Sequence, residues 1–248
     1  MSGSYERKRV ENFVASPTPL AYARSHEMKS RPSICVLVSG GLDSCVLLAE
    51  MARTQRKVFP VFVRKGFKWE TTEMFWLRKF LKRLDSPAIE PLHVISLPMD
   101  DVLENHWSQT GKRVPHAQTP DAAVYLPGRN LLLLSKTAVF CALRNIPTIA
   151  LAPLNHNPFA DASPQFFRQF QSLATHALGH SLKIIVPFRR LSKSQVIQRG
   201  KYLPLHLTFS CFAPRGRLHC GRCNKCAERK RAFREASVSD RTVYLSKR

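Results

Sequence analysis

Short apolar runs alternate with longer amphipathic segments along most of this chain, and that alternation narrows the folds open to it. Strands are predicted in the run that begins at residue 34 and at 57–63, 90–98, 148–154 and 182–188, with helices after the first strand and at 70–84, 130–145 and 163–178. Parallel strands joined by right-handed helical crossovers form a doubly wound sheet, whose ligand site lies at the carboxyl ends of the strands. We therefore predict an α/β fold with a doubly wound, five-stranded parallel sheet.

Two local signals refine this prediction. Ser163 precedes Pro164 at the start of the fourth predicted helix, so Ser163 is the expected N-cap and Pro164 the first helical residue. The long polar segment 99–124 lacks a clear period and is predicted to be an active-site loop.

The charge balance is unusual for a chain of 248 residues. Lys and Arg number 39 against 17 Asp and Glu, which gives a formal net charge of +22. Such an excess indicates an anionic partner, either a small substrate or a nucleic acid, although a basic surface without a specific role explains it equally well. Because no aromatic pattern typical of RNA-binding sheets accompanies the basic residues, nucleic acid is an open partner but not the favoured one.

The two ends of the chain differ in composition from its middle. Residues 1–32 are polar, contain three prolines and lack the apolar core of a secretory signal, so we expect a loosely ordered extension and a cytoplasmic protein. No run approaches the roughly 18 apolar residues of a membrane span. The expected division is this extension, a nucleotide-binding domain at 33–205 and a C-terminal segment at 206–248 that ends in a basic tail.

A turn of two glycines follows the first strand, within the sequence Ser-Gly-Gly-Leu-Asp-Ser. Glycine lets the backbone approach a ligand closely, and the helix that follows presents unpaired N–H groups to an anion. Neither the P-loop signature of the Walker ATPases, G-x-x-x-x-G-K-[ST], nor the dinucleotide-binding motif G-x-G-x-x-G is present. The hydroxyls are placed to donate to phosphate, and the aspartate to hold a Mg²⁺ ion that bridges it. The predicted nucleotide-binding residues are Val38, Ser39, Gly40, Gly41, Leu42, Asp43, Ser44 and Cys45.

Four of the seven cysteines lie close together near the C-terminus. They are Cys211, Cys220, Cys223 and Cys226, spaced C-x8-C-x2-C-x2-C. Four thiolates suit tetrahedral Zn²⁺ in a closed, structural site, while an iron–sulfur cluster or a disulfide pair is the alternative. The other three cysteines, Cys35, Cys45 and Cys141, fall in apolar elements and are assigned to packing.

Several motifs together resemble a known family. The Ser-Gly-Gly-Leu-Asp-Ser loop is similar to the pyrophosphate loop of the N-type ATP pyrophosphatases. With "YLPGRN" at 125–130, "LSK" at 191–193 and "CGRCNKCAERKRAF" at 220–233, the chain resembles the 7-cyano-7-deazaguanine synthase family of queuosine biosynthesis from about residue 33 to 233.

The resemblance implies an adenine nucleotide alpha hydrolase-like fold with a small C-terminal zinc-binding segment, and it implies a ligase. ATP adenylates the carboxylate of 7-carboxy-7-deazaguanine, ammonia displaces AMP to give the amide, and a second ATP-dependent step dehydrates the amide to the nitrile. The implied substrates and cofactors are thus ATP, ammonia and the deazaguanine acid, with Mg²⁺ and Zn²⁺.

The resemblance also assigns roles to individual residues. Asp43, Arg129 and Lys193 are the predicted catalytic residues, and the predicted substrate-binding residues are Arg129, Asn130, Phe159 and Asp161. A guanidinium suits a phosphate or the substrate carboxylate, and Asp161 suits the guanine-like edge. The plainer alternatives are helix capping for Arg129 and Lys193 and core packing for Phe159.

One departure from the family pattern bears on the substrate. After the second strand the family typically reads Tyr-Gly-Gln, whereas this chain reads Arg64-Lys65-Gly66. Adenylation of a different carboxylate, or of a tRNA base, is therefore the alternative function. The sequence also leaves open whether the chain forms a homodimer.

Overall fold

A computed structural model describes residues 33–54, 57–155 and 157–245 of the chain. The N-terminal extension predicted at 1–32 lies outside the described residues, as do residues 246–248. The division into domains stays a prediction.

Five parallel strands form one sheet in the order β3-β2-β1-β4-β5. The strands are β1 (Ile34–Leu37), β2 (Val58–Arg64), β3 (His93–Ser96), β4 (Thr148–Ala150) and β5 (Lys183–Ile185). Each is a short apolar run of the kind that a two-sided, fully covered sheet requires. The observed sheet confirms the predicted fold class, and most strands are shorter than their sequence limits suggested.

Helices connect the strands and follow the last one. They are α1 (Leu42–Arg53), α2 (Glu70–Leu84), α3 (Asp100–Leu103), α4 (Trp107–Thr110), α5 (Arg129–Ala142), α6 (Pro164–Leu178), α7 (Lys193–Arg199) and α8 (Asn224–Glu235). Ser163 caps α6 as predicted, because its Oγ accepts a hydrogen bond from Phe166 N at 3.1 Å and Pro164 is the first helical residue. The predicted loop at 99–124 contains α3, α4 and a 3-10 turn at Asp121–Val124.

The core occupies both faces of the sheet, because successive side chains of a strand point in opposite directions. Ile34 and Val36 of β1 pack with α1, α2, α7 and α8 on one face, whereas Cys35 and Leu37 pack with α5 and α6 on the other. Phe233 of α8 belongs to the first of these clusters. The C-terminal segment therefore shares its hydrophobic core with the sheet.

The predicted nucleotide loop follows β1, the strand at which the order of strands in the sheet reverses. From β1 the chain proceeds outward through β2 and β3, then returns to pair β4 with the other edge of β1. A crevice forms at such a switch point, outside the carboxyl ends of the two central strands. Separately, no helix within the described ranges is long and apolar enough to cross a membrane.

Candidate functional site

The turn that follows β1 brings its backbone close to α2. Gly40 has φ +76°, a conformation that L residues rarely adopt, and a Cβ at this position would lie 2.8 Å from the carbonyl oxygen of Glu73. Gly41 begins α1 as its N-cap, and a Cβ there would lie 3.1 Å from Ser39 Oγ. Gly40 is therefore required by both the space and the dihedral angles of this turn, whereas Gly41 has an ordinary φ of -71° and is limited only by its closeness to the Ser39 hydroxyl.

Hydroxyl groups brace the same turn from within. Ser39 N donates to Ser44 Oγ at 3.1 Å, and that hydroxyl donates to Gly41 O at 3.0 Å. Gly41 N donates to Ser39 Oγ at 3.3 Å. Ser44 is thus committed to the shape of the turn, and Ser39 is the more accessible of the two hydroxyls.

The remaining predicted loop residues lie in the core. Val38, Leu42 and Cys45 are buried, so only their backbone groups face the crevice. No side chain caps the N-terminus of α1, and its first intrahelical donor is Cys45 N, which bonds to Gly41 O at 3.1 Å. The preceding N–H groups and the helix dipole therefore favour an anion at this position.

A row of alternating charges connects α1 to the last two helices. Lys193 Nζ lies 3.2 Å from Asp43 Oδ2 and 3.0 Å from Glu228 Oε1. Lys225 Nζ donates to Glu228 Oε2 at 2.7 Å. The predicted catalytic residues Asp43 and Lys193 are thus in contact, and Lys193 is held between two carboxylates.

Asp43 keeps one oxygen for a ligand. Its Oδ1 is buried and has no hydrogen-bond partner among the described residues. Burial raises the pKa of Asp43, an effect that Lys193 offsets only in part. A divalent cation beside Oδ1 would favour the ionised carboxylate and satisfy the orphaned oxygen, so the donor set fits a Mg²⁺ ion.

Glu228 responds differently to its surroundings. Burial favours its neutral form, but Lys193 and Lys225 outweigh that effect and lower its pKa to about 2. The pKa of Lys193 is raised above its ordinary value, because the attraction of Asp43 and Glu228 outweighs burial. Glu228 therefore carries a full negative charge at neutral pH and holds Lys193 in place.

Residues 64–66 at the end of β2, where the sequence departs from the family pattern, form a turn that is closed by hydrogen bonds to Glu70. Glu70 accepts hydrogen bonds from the backbone N–H groups of Lys65 at 2.6 Å and Gly66 at 2.9 Å. Lys65 is itself buried, and its Nζ lies 2.9 Å from Val63 O and 3.4 Å from Glu70 Oε1. This lysine is thus part of the structure of the turn and is not a free cation at its surface.

A second carboxyl group lies between this turn and the nucleotide loop. Burial raises the pKa of Glu73, although Lys65 and Arg129 oppose the shift. Its backbone carbonyl oxygen occupies the space that a side chain at Gly40 would need.

Arg129 and Asn130 begin α5, after Gly128 at φ +61°. Arg129 is exposed and forms no ion pair within the described part of the chain. Asn130 N donates to Asp161 Oδ2 at 2.8 Å, and Asn130 Nδ2 donates to Asp161 O at 3.0 Å. The structure thus brings Asn130 and Asp161 together and leaves Arg129 available to a ligand.

Asp161 serves the start of α5 as well as the crevice. One of its oxygens is used on Asn130 N, which leaves Oδ1 as the acceptor available to a bound ring. Phe159, two residues earlier, is half-buried, and its ring centroid lies 5.2 Å from that of Tyr125. The two rings therefore pack together close in sequence to this acceptor.

The four clustered cysteines form a compact, buried group. Their Sγ atoms all lie within 4.8 Å of one another, with 3.9 Å between Cys220 and Cys226 and 3.9 Å between Cys211 and Cys223. A tetrahedral Zn²⁺ ion with Zn–S bonds of about 2.3 Å sets sulfur–sulfur separations of about 3.8 Å. The four residues could therefore hold a metal ion, and the separations of their sulfur atoms fit zinc.

The cysteine cluster and the nucleotide loop are directly connected. Phe209, two residues before Cys211, donates from its backbone N to Gly40 O at 2.7 Å. Arg229, which is 1% exposed, anchors the same segment through Leu205 O at 2.8 Å and Thr208 Oγ1 at 2.9 Å. A metal bound by the cysteines would thus fix the segment that supports the loop.

Three residues of this region were not found by sequence reasoning. Glu228 lies 35 residues after Lys193 along the chain, and only the packing of α8 against α7 brings them together. Glu70 and Glu73 belong to the acidic first turn of α2, a signal that predicted a favourable helix start and not a position beside the loop. No local sequence pattern indicated that Glu70 and Glu73 would lie close to the glycine turn.

Comparison with known proteins shows the family of this chain. The family model described as "Queuosine biosynthesis protein QueC" matches residues 33–237, which include the nucleotide loop and all four clustered cysteines. The chain belongs to this family.

Individual relatives agree with the family. The 7-cyano-7-deazaguanine synthase of Leptospira interrogans serovar copenhageni is 29% identical over 219 residues, which cover 83% of this chain and 88% of that protein. The 7-cyano-7-deazaguanine synthase of Allorhizobium ampelinum is 30% identical over 226 residues, 85% of this chain and 92% of that protein. Among solved structures, a 4-thiouridine synthetase in complex with RNA and ATP has a TM-score of 0.47 and 13% identity, over 83% of this chain and 50% of that one.

Proposed function

We propose that this chain is an ATP-dependent ligase that converts 7-carboxy-7-deazaguanine and ammonia to 7-cyano-7-deazaguanine. The observation that carries the proposal is the nucleotide loop at the end of β1, with an orphaned Asp43 oxygen beside it, in a chain of the QueC family. The relatives' names supply the product, 7-cyano-7-deazaguanine, and the resemblance of the motifs supplies the acid and ammonia as its precursors.

The loop would bind the polyphosphate of ATP. The N–H groups at the start of α1 and the Ser39 hydroxyl offer donors, and the absence of side chains at Gly40 and Gly41 lets phosphate approach the backbone. Mg²⁺, when bound, would neutralise phosphate charge and favour pyrophosphate as the leaving group. Asp43 is the residue that would hold it.

Lys193 acts as a positioning residue in this proposal. Its ammonium lies within 3.2 Å of Asp43 and 3.0 Å of Glu228, so two of its three donors are engaged before ATP binds. It fixes the rotamer of Asp43 and balances the charge of that carboxylate. A contact between the third donor and a phosphate would not require Lys193 to leave either acid.

The substrate acid would lie beside Arg129, Phe159 and Asp161. The exposed Arg129 guanidinium would pair with the carboxylate or with the α-phosphate, and Asp161 Oδ1 would accept from the N–H edge of the ring. Holding the carboxylate in line with the α-phosphate supplies the orientation that adenylation needs, and ammonia then attacks the activated carbonyl carbon.

Incubation of the purified chain with 7-carboxy-7-deazaguanine, ATP, Mg²⁺ and ammonium tests the proposal. Mass spectrometry should detect the amide and then the nitrile, with release of AMP and pyrophosphate. Formation of neither product by protein that carries its metal would refute the proposed function.

The end of β2 supports a second candidate, adenylation of a different carboxylate. Where the family reads Tyr-Gly-Gln, Lys65 is buried but Arg64 is exposed, so the surface that a ligand would meet there differs. ATP–pyrophosphate exchange measured with a set of carboxylic acids separates the two candidates. Exchange stimulated only by the deazaguanine acid excludes the second one.

We further propose that the bound metal is structural Zn²⁺ and that the protein acts in the cytoplasm. The buried, four-thiolate donor set supports zinc, because no ligand position remains for a substrate. Elemental analysis of protein purified without added metal tests the identity of the ion.

A further inference from the structure

A second cavity lies beyond the carboxyl ends of β4 and β5. Its volume is about 830 Å³, within the range of sites that take a ligand of nucleotide size. None of its described lining residues belongs to the nucleotide loop, to the charged row at Lys193 or to the cysteine cluster. Asn157 and Ala162 flank the proposed substrate-binding residues Phe159 and Asp161 along the chain, so the cavity adjoins that part of the proposed site and is distinct from its nucleotide loop.

Its walls are largely apolar. The apolar lining residues are Pro153, Leu154, Ala162, Pro164, Phe167, Ile184, Ile185, Val186 and Pro187. The proline rings offer flat apolar surfaces on which an uncharged ring can pack, and Phe167, which is buried in the core, closes the cavity behind them. A small hydrated anion alone would leave this surface unused.

Three exposed arginines complete the lining, namely Arg168, Arg189 and Arg190. No described residue forms an ion pair with any of them, and the described lining contains no acidic side chain. Their positive charge is thus not balanced within the described part of the cavity.

The other polar side chains present donors as well. Gln171 Oε1 accepts from Ile184 N at 2.9 Å, and Asn157 Oδ1 accepts from Phe159 N at 3.1 Å. Because each amide oxygen is used on the backbone, each side chain has its NH₂ group left for a ligand. The cavity therefore combines an apolar wall with guanidinium and amide donors.

We propose that this cavity binds a nucleotide unit, with the phosphate on the arginines and the base against the apolar wall. A phosphate offers several oxygen acceptors to planar guanidinium forks, and a base with its sugar supplies the flat, uncharged body. The unit comes either from a free mononucleotide or from a single-stranded nucleic acid. The site does not depend on the proposed ligase activity.

Binding to the full chain tests this proposal while the nucleotide loop is saturated with Mg²⁺ and a non-hydrolysable ATP analogue. The probes are uridine, uridine 5′-monophosphate and a single-stranded hexauridylate, titrated by calorimetry. Uridine 5′-monophosphate should bind about tenfold or more tightly than uridine, because charge-assisted hydrogen bonds are lost with the phosphate. Tighter, more salt-sensitive binding of the hexauridylate identifies nucleic acid as the source, and equal binding identifies the free nucleotide.

The double substitution Arg189→Gln with Arg190→Gln should weaken binding of uridine 5′-monophosphate about tenfold or more. Arg83→Gln with Arg234→Gln is the matched control, because it removes the same charge from exposed helical positions outside the cavity. Thermal melts establish that both variants fold. Absence of saturable binding to the wild-type chain, or equal losses in the two variants, would overturn the proposal. Ligase activity, assayed separately, reports on the active site alone.

Discussion

Gly40 shows how one residue can be fixed by two independent constraints. Its φ of +76° disfavours any side chain, and the carbonyl of Glu73 occupies the space that a Cβ would need. Gly179 has a similar φ of +58° but has nothing within 4 Å of the corresponding Cβ position. A side chain at Gly179 would therefore cause backbone strain alone, whereas a side chain at Gly40 would cause strain and a steric clash.

Gly40→Ala should lower the free energy of unfolding by more than Gly179→Ala does. We expect about 1 kcal/mol for Gly179→Ala from strain alone and about 2 kcal/mol or more at Gly40, where the backbone must also shift. Urea denaturation measures both values, and ATP affinity should fall only in the Gly40 variant. Equal destabilisation by the two substitutions would show that the contact with Glu73 is unimportant.

Asp43→Asn should reduce kcat/KM by about two orders of magnitude or more while the protein stays folded. The amide keeps the size of the side chain but lacks the charge that holds a cation, and Lys193 keeps its partner Glu228 at 3.0 Å. Steady-state pyrophosphate release at several Mg²⁺ concentrations measures the effect. Glu50→Gln is the control, because Glu50 lies on the same helix in a surface pair with Arg199. Wild-type activity in the Asp43 variant would remove Asp43 from the proposed metal site.

At the scale of elements, three helices that are distant in sequence meet through one ammonium group. Lys193 is the first residue of α7, Asp43 lies in the first turn of α1, and Glu228 lies in the second turn of α8. The short α7 is held there by a capping box, in which Ser192 and Gln195 bond reciprocally. The position of the Asp43 carboxylate, the proposed metal ligand, thus depends on the packing of all three helices.

The stabilising effect of Glu228 should be present at neutral pH and lost in acid. Because its pKa falls from 4.5 to about 2 on folding, it stabilises the folded state above pH 4.5, and this contribution is lost as the pH falls toward 2. Glu228→Gln should therefore be less stable than the wild type at neutral pH, by up to a few kcal/mol, and the difference should shrink below pH 4.5. Unfolding by urea across this pH range measures the effect.

Glu235→Gln on the same helix provides the comparison for that measurement. Glu235 is exposed and its oxygen lies 3.8 Å from Arg231 Nε, a geometry that contributes little to stability. A Glu228 variant whose stability tracked that of the Glu235 variant at every pH would contradict the assigned role.

At the scale of the whole molecule, the C-terminal segment joins the metal cluster to the nucleotide loop and to the core. Phe209 N bonds to Gly40 O, while Phe233 and Ala236 pack against the sheet. Loss of order at the cysteines would therefore affect the loop as well as the last helix.

Removal of the metal should accordingly lower both stability and ATP affinity. Cys220→Ser should lose the bound ion and lower the melting temperature by several degrees or more, since metal-binding free energy at such a site is folding free energy. Metal content, melting temperature and ATP affinity are the measurements. Cys141→Ala serves as the control, because this buried cysteine lies outside the cluster and should leave the metal content unchanged. A metal-free variant with unaltered ATP affinity would disprove the coupling.

The sequence by itself determined the order of the five strands along the chain, the longer helices between them and the two chemical motifs of this protein. Alternating apolar runs predicted a parallel sheet, and the limits of α2 agreed at both ends, because hydrophobic period and caps are local properties. The glycine turn and the spacing of four cysteines are also local, so a nucleotide loop and a cysteine cluster were predicted without knowledge of the fold.

Only the tertiary structure decided which charged groups meet. Lys193 lies between Asp43 and Glu228, Lys65 is buried against Glu70, and Phe209 bonds to Gly40. Some of these contacts join residues that are far apart in sequence, and others involve residues that belong to no recognised motif. All of them depend on how the helices pack over the sheet. Burial and the distances between charges set each pKa, and neither quantity exists until the chain has folded.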